Sequence, residues 1–160
     1  MSNILGRKLW GAKSATGIVS QKPSSVHTMV IHHTVGRAPY LMGAAKREMR
    51  SIQRQHMGAN GWSDIGYNVV IDRAGRLWEG RGLYRVGAHT LGHNTGTVGI
   101  SFMGNYEVKK LNKKQIRAFY QIVEKCKAHG MEIKTIKGHR QMPRQSTACP
   151  GKNIMKQLSL

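Results

Sequence analysis

Acidic side chains are scarce in this sequence. Seven Asp and Glu stand against 26 Lys and Arg, a formal net charge of +19. No acid precedes Glu48 and none follows Glu132, whereas bases occur along the whole chain. So one-sided a balance implies attraction to polyanions such as nucleic acid, anionic lipid or acidic wall polymers. Because the charge is spread and not gathered in a tail, it suits steering to an anionic surface. No recognition helix and no aromatic-bearing sheet motif accompanies it, so no specific nucleic-acid partner is expected.

Long apolar runs are missing as well. None reaches the roughly 18 residues that a membrane-spanning helix needs, so no transmembrane segment is expected. Near the start, Ile4-Leu5 is cut off by Arg7 and Lys8 and no apolar stretch follows. The expectation is a product synthesised in the cytoplasm without a signal peptide. Cysteines number two, Cys126 in a helical pattern and Cys149 in a polar loop. Too few for a disulfide framework, they are not expected to pair. There is no internal repeat, low-complexity tract or linker. The 160 residues read as one domain, 1–160, with a basic segment of about residues 1–25 packed on it or extending from it.

What is present alternates between strand and helix signals. The β-branched run Val26 to Thr34 reads as a buried strand. Pro39 is placed to open a helix that continues to about Met57, with Met42, Ala45, Met49, Ile52 and His56 on one face. Tyr67 to Asp72 and Arg76 to Trp78 read as a hairpin about Ala74-Gly75, and Thr97 to Met103 as another strand. Asn112 is a helix N-cap with Gln115 completing a capping box; Ile116, Phe119, Val123 and Cys126 form the apolar stripe and Gly130 the stop. A strand near Thr135 to Lys137 follows, and Pro150 is expected as the first residue of a last helix. The order predicts an α/β fold, a mixed central β-sheet flanked by helices on both faces.

Three strings carry chemistry: Val30-Ile31-His32-His33-Thr34, Gly61-Trp62-Ser63-Asp64-Ile65-Gly66-Tyr67-Asn68, and Gly138-His139-Arg140 followed by Ala148-Cys149-Pro150-Gly151. Two imidazoles and a thiolate can hold Zn²⁺ with its fourth position left for water, the catalytic form of zinc site. Wide sequence separation argues against a zinc finger. His32 and His33 are neighbours on a strand, point to opposite faces, and can contribute one residue at most to a given site. A strand histidine taken alone is more often a satisfied core residue, and Tyr67 and Trp62 are most often packing. Cys149 before a helix N-terminus should feel the positive end of the macrodipole, which lowers a thiol's pKa. A Cys–His nucleophile pair competes with the metal reading, but it needs an orienting Asn or Asp that is not evident.

With these strings in order, the chain resembles the zinc-dependent N-acetylmuramoyl-L-alanine amidases related to peptidoglycan recognition proteins and small phage amidase lysins. Arg7-Lys8-Leu9-Trp10-Gly11-Ala12, Glu79-Gly80-Arg81-Gly82, Gly87-Ala88-His89-Thr90 and Gly99 through Tyr106 extend the match over nearly the whole chain. The resemblance implies that the zinc ligands are His32, His139 and Cys149 and that Tyr67 is catalytic. Thr147 falls where some members carry an oxyanion-assisting Lys, His33 is structural, and Trp62, His89 and Asn94 line the substrate cleft. It also implies hydrolysis of the amide between N-acetylmuramic acid and the L-alanine of the stem peptide in peptidoglycan. The expected setting is a monomeric phage or prophage endolysin that reaches the cell wall after release, its basic surface held by anionic wall or outer-membrane polymers. The alternatives are a non-catalytic peptidoglycan-binding protein on the same fold and a basic nucleic-acid or membrane-disrupting protein. Departures from the family are the absence of a cysteine after His32-His33-Thr34, where Arg37 and Ala38 stand, and a longer interval between His139 and Cys149.

Overall fold

In the computed structural model, which describes residues 3–160, the strand β1 (Ile4–Leu5) leads directly into a single helical turn, α1 (Arg7–Trp10). Next come β2 (Thr28–His33), α2 (Met42–Arg54), β3 (Val69–Ile71), β4 (Leu77–Glu79) and β5 (Thr97–Phe102). The chain closes with α3 (Lys113–Ala128), β6 (Thr135–Gly138) and α4 (Lys152–Gln157). One six-stranded sheet runs in the order β1-β4-β3-β5-β2-β6, and only the β3–β4 hairpin is antiparallel. The mixed α/β architecture expected from the sequence is the one observed.

Alternation along the strands divides the interior in two. Met29, Ile31, Val98, Ile100, Phe102, Val69 and Ile71 face α3, where Phe119, Ile122, Val123 and Cys126 cover them. Val70, Trp78 and Met103 face the other way, against Trp10, Ala45, Met49 and Ile52 of α1 and α2. Both cysteines are free. The capping box holds as read: Asn112 Oδ1 accepts from the Gln115 amide at 2.9 Å, and Gln115 Oε1 from the Asn112 amide at 3.2 Å.

Two helix starts differ from expectation, both at a proline. Residues 39–41 run extended into α2, and the Pro39 carbonyl accepts from the Arg73 amide at 3.2 Å. Met42 therefore opens the helix on its exposed side instead of joining the buried stripe. Pro150 follows a cis peptide bond and stands two residues before α4. The residue that enters α4 is Gly151, at φ 94°, where a Cβ would lie 2.4 Å from the Tyr106 carbonyl carbon. Only glycine fits so close to another backbone in that left-handed conformation.

The basic start of the chain is built into the domain. β1 pairs in parallel with β4, and Trp10 is fully buried with its indole N–H donating to the Glu79 carbonyl at 2.8 Å. Arg7 reaches Asp64 at 2.8 Å, and Asp64 also accepts from Gln53 and from the Ile65 amide. This network ties residues 7 and 53 to the loop that presents Tyr67. At the end of α2 the chain widens into a π-turn over Gln55–Ala59, which rotates His56 inward. There its Nδ1 accepts from the Gly66 amide at 2.9 Å. Burial, aided by the charge of Arg81, pushes the His56 pKa down to about 4.

Two outcomes follow from these contacts. Asp64→Ala should destabilise the fold by about 3–5 kcal/mol, because it leaves the Arg7 guanidinium and Gln53 without their buried partner; equilibrium denaturation measures it, and a loss below about 1 kcal/mol would contradict the role given to this pair. His56 supplies a pH dependence. An unfolded imidazole takes up its proton near pH 6.5, whereas the folded one resists protonation until about pH 4. In that window the unfolded state binds more protons, so stability falls as pH drops from about 6.5 to about 4. His56→Gln, which keeps an acceptor for Gly66, should flatten that decline; an unchanged slope would assign the acid sensitivity elsewhere.

Candidate metal centre

Parallel pairing brings the two outer histidines together. Ile31 of β2 registers with Gly138, the last residue of β6, so His32 and His139 emerge side by side with ring centroids 4.7 Å apart. The loop before α4 folds Cys149 over this strand end, where its Sγ accepts from the His33 amide at 3.4 Å and lies 3.6 Å from His32 Nδ1. Ligand atoms of His32, His139 and Cys149 all lie within 4.8 Å of one another. His33, on the opposite face of β2, accepts from the Tyr106 amide at 3.1 Å and anchors that loop.

Hydrogen bonding decides which nitrogens are free. Thr97 Oγ1 donates to the His93 carbonyl at 2.8 Å and stands 3.3 Å from His89 Nε2, which must therefore carry the proton. His89 Nδ1 is then an acceptor, 3.0 Å from His32 Nε2. Nε2 of His32 is in turn the protonated nitrogen, and its Nδ1 presents a lone pair toward Cys149. An outer donor or acceptor that fixes the tautomer of a ligating histidine is the usual companion of a metal site. On His139, Nε2 donates to Gln145 Oε1 at 2.9 Å, which leaves Nδ1 free in the same way.

The His89 ring fits a slot made by two glycines. A Cβ on Gly87 or on Gly99 would lie 2.5 Å from its ring carbons. Burial lowers the pKa of both His32 and His89, the latter to about 3, so both are neutral and able to act as described. Cys149 departs from the sequence expectation. Its thiol sits on a loop with Gly151 as helix cap, and burial pushes its pKa up to about 12, more than the His33 amide and the charge of Arg140 offset. A metal, not the helix, would have to stabilise its thiolate. Two neutral imidazoles with free Nδ1 atoms and one enclosed thiol match a three-ligand zinc site.

A cleft of about 360 Å³ lies over these atoms, lined among others by Val35, His56, Trp62, Tyr67, Ala88 and Thr147. A second lobe of about 300 Å³ shares Trp62, His89 and His139 and continues past Asn94 and Gln145. Tyr67 stands 5.5 Å from the His32 ring and packs edge-on against His56. Burial raises its pKa, so the phenol stays protonated. Trp62 packs against His56 with the rings tilted by 55° and is 37% exposed. Asn94 borders the second lobe, but its Oδ1 is occupied by the His89 and Thr90 amides, each at 2.9 Å. Thr147 Oγ1 accepts from the Cys149 amide at 3.1 Å, shaping the ligand loop from the rim.

Four residues here were not singled out by the sequence as parts of the site. His56 and Gln145 orient Tyr67 and His139. Ser101, across from His32 in the β2–β5 register, has a fully buried hydroxyl with no standard hydrogen bond, close enough to Tyr67 to act on its phenol. Val35 holds a left-handed backbone, φ 66°, with its side chain 56% exposed in the cleft mouth. A β-branched residue in that region costs about 1–3 kcal/mol and occurs where surrounding contacts enforce it. Its amide donates to the Gly104 carbonyl at 3.0 Å, and Thr34 Oγ1 accepts from the Gly104 amide at 2.9 Å.

Known proteins share this arrangement of chain. The family model described as N-acetylmuramoyl-L-alanine amidase matches residues 22–152. Peptidoglycan-recognition protein SC2 of Drosophila simulans is 38% identical over 157 residues, 97% of this chain and 84% of that protein. The N-acetylmuramoyl-L-alanine amidase of Homo sapiens is 35% identical over 147 residues, 89% of this chain but 25% of that protein. Among solved structures, the ectodomain complex of peptidoglycan recognition proteins LCa and LCx bound to tracheal cytotoxin matches with a TM-score of 0.91 and 32% identity, over 99% of this chain and 95% of the matched one. These relatives overturn the expected cytoplasmic origin: the first two are an animal recognition protein and an animal amidase, and the last is an ectodomain, the part of a protein outside the cell. By the match to residues 22–152 and by these identities, the chain belongs to the peptidoglycan-recognition and N-acetylmuramoyl-L-alanine amidase family.

Proposed function

We propose that this protein is a zinc-dependent amidase that cleaves peptidoglycan between the lactyl group of N-acetylmuramic acid and L-alanine. The observation that carries the proposal is the convergence of His32, His139 and Cys149 within 4.8 Å, beside a protonated tyrosine in an open cleft. Zinc held by two histidines and a cysteine supplies a Lewis acid that polarises a carbonyl and lowers the pKa of water toward about 7. The chain's own residues do the rest. Tyr67, kept protonated by burial, donates a hydrogen bond to the oxygen on which charge develops. The Thr147 hydroxyl donates a weaker, neutral hydrogen bond at the rim. Trp62 and the backbone of Ala88 form the wall against which the stem peptide lies, and His89 keeps His32 in its ligating tautomer. Tracheal cytotoxin, the fragment bound by structural relatives, is a monomeric peptidoglycan of the diaminopimelic acid type. Peptidoglycan is accordingly the proposed partner, engaged by a monomer, with the basic surface adding attraction to anionic wall polymers.

A purely recognising protein on the same fold would have no use for the thiol. Of the relatives named above, the human amidase supports the hydrolysis and the recognition proteins support peptidoglycan binding; none lends anything particular to a phage lysin.

Protein purified without added metal should carry one zinc, and Cys149→Ser should carry much less; equal zinc by elemental analysis would remove Cys149 from the ligand set. Incubated with purified peptidoglycan, the wild type should release material with new L-alanine amino termini. Tyr67→Phe should keep its zinc and its melting temperature while losing on the order of 10²-fold in turnover, the cost typical of one lost oxyanion donor. Turnover near that of the parent would make Tyr67 a packing residue only.

A further inference from the structure

Val35 separates two concavities. Its side chain lines the cleft, while Gly36 and Arg37, next in the chain, line a groove of about 550 Å³ on the outer side of α2. Across the groove, His56 belongs to the cleft and Gln55 to the groove. The two therefore lie next to each other at both of these places in the chain.

The groove is built around arginine. Arg47, Ser51 and Arg54 fall on one stripe of α2 at helical spacing, and Arg37 faces them from the loop. Five of the chain's other arginines, 7, 50, 73, 76 and 81, spend their guanidinium groups on protein carbonyls or carboxylates. Among the described residues, Arg37, Arg47 and Arg54 donate no side-chain hydrogen bond and form no ion pair. The acid present, Glu48, is turned toward the loop: a Cβ on Gly36 would lie 3.0 Å from its Oε1. Burial raises the Glu48 pKa, and the amide and charge of Arg37 offset only part of that.

Shape and chemistry restrict what can lie there. Arg47 and Arg54 are two turns apart, about 10 Å along the helix, so their charges form a row and not a single point. A row of forked donors suits a chain of repeated oxyanions, and arginine binds phosphate bidentately. Among the described lining residues there is no aromatic side chain on which a base could stack, which disfavours single-stranded nucleic acid. Their largest apolar members are Pro39 and Ala44, which disfavours insertion into lipid. We infer that the groove is an anion subsite for a phosphodiester polymer attached to the cell wall, holding it where the wall's peptidoglycan enters the adjoining cleft. This rests on the proposed wall substrate, but not on hydrolysis.

Binding in a background that cannot cleave tests it separately. In Cys149→Ser protein, co-sedimentation with purified walls is compared for three forms: no further change, Arg37→Gln/Arg47→Gln/Arg54→Gln, and a control, Arg117→Gln/Lys127→Gln/Lys134→Gln. The control removes equal charge from exposed positions on and beside α3, across the sheet. Each form is tested on intact walls and on walls stripped of phosphodiesters with hydrofluoric acid. The groove variant should bind intact walls roughly tenfold or more weakly, since charge-assisted bidentate bonds are the strong class, and the control should bind nearly as well as the parent. On stripped walls the difference should vanish. Equal losses in groove and control variants would reduce the effect to bulk charge and overturn the subsite. A loss that persists undiminished on stripped walls would assign the arginines to carboxylates of the peptidoglycan and overturn the phosphodiester. Because no form needs to cleave, failure of the amidase reading leaves both comparisons intact.

Discussion

The parallel register of β2 is the constraint on which the rest depends. β2 pairs with β5 along its full length and with β6 over four residues. That double pairing fixes which side chains share the site face: His32 beside Ser101 on one flank and beside His139 on the other. A one-residue slip would turn His32 into the α3 core and aim His33 at the cleft. Slippage is opposed by Met29 and Ile31 on the core face of β2, buried completely against α3 and its neighbours. Apolar packing on one face of the sheet thus holds the chemistry on the other in place.

Around that register the protein assembles an uncharged pit within a strongly basic molecule. His32, His56 and His89 are held neutral, and Cys149 and Tyr67 are held protonated, in every case chiefly by burial. The arginines nearest the loops are otherwise engaged; Arg81 donates to the carbonyls of Asp64, Ile65 and Val86 and so braces the Tyr67 loop. Fixed polar groups enclosed by protein in this way act more strongly than they would in bulk water. The free guanidinium row lies outside the pit, past Val35, so surface attraction and site chemistry occupy different ground.

Much of this was legible in the sequence because it depends on side-chain identity at a fixed order. The alternation of Val26 to Thr34, the capping box at Asn112 and the spaced His32, His139 and Cys149 all mark themselves. What was not legible depends on backbone conformation or on partners distant in sequence. Pro39 and Pro150 carry a helix-start signal, but a carbonyl pairing and a close approach at Gly151 move each start two or three residues on. The two-residue β1 is too short to show a period and exists because β4 offers it an edge. His56 reads as one more residue of an apolar stripe until the π-turn rotates it inward. The Cys149 thiol illustrates a competition of magnitudes: proximity in sequence to a helix suggests a lowered pKa, and enclosure by the fold reverses the sign.

The glycine slot around His89 has a consequence for which atoms that ring presents to its neighbours. Turning that imidazole half a revolution about its Cβ–Cγ bond would put Cδ2 in the place of Nδ1 and Cε1 in the place of Nε2, setting carbon atoms against the N–H of His32 and the Thr97 oxygen. Gly87 and Gly99 give the ring its room, since a Cβ on either would lie 2.5 Å from it. The orientation on which the His32 lone pair depends therefore requires two positions without side chains, Gly99 on β5 and Gly87 in the loop that carries His89.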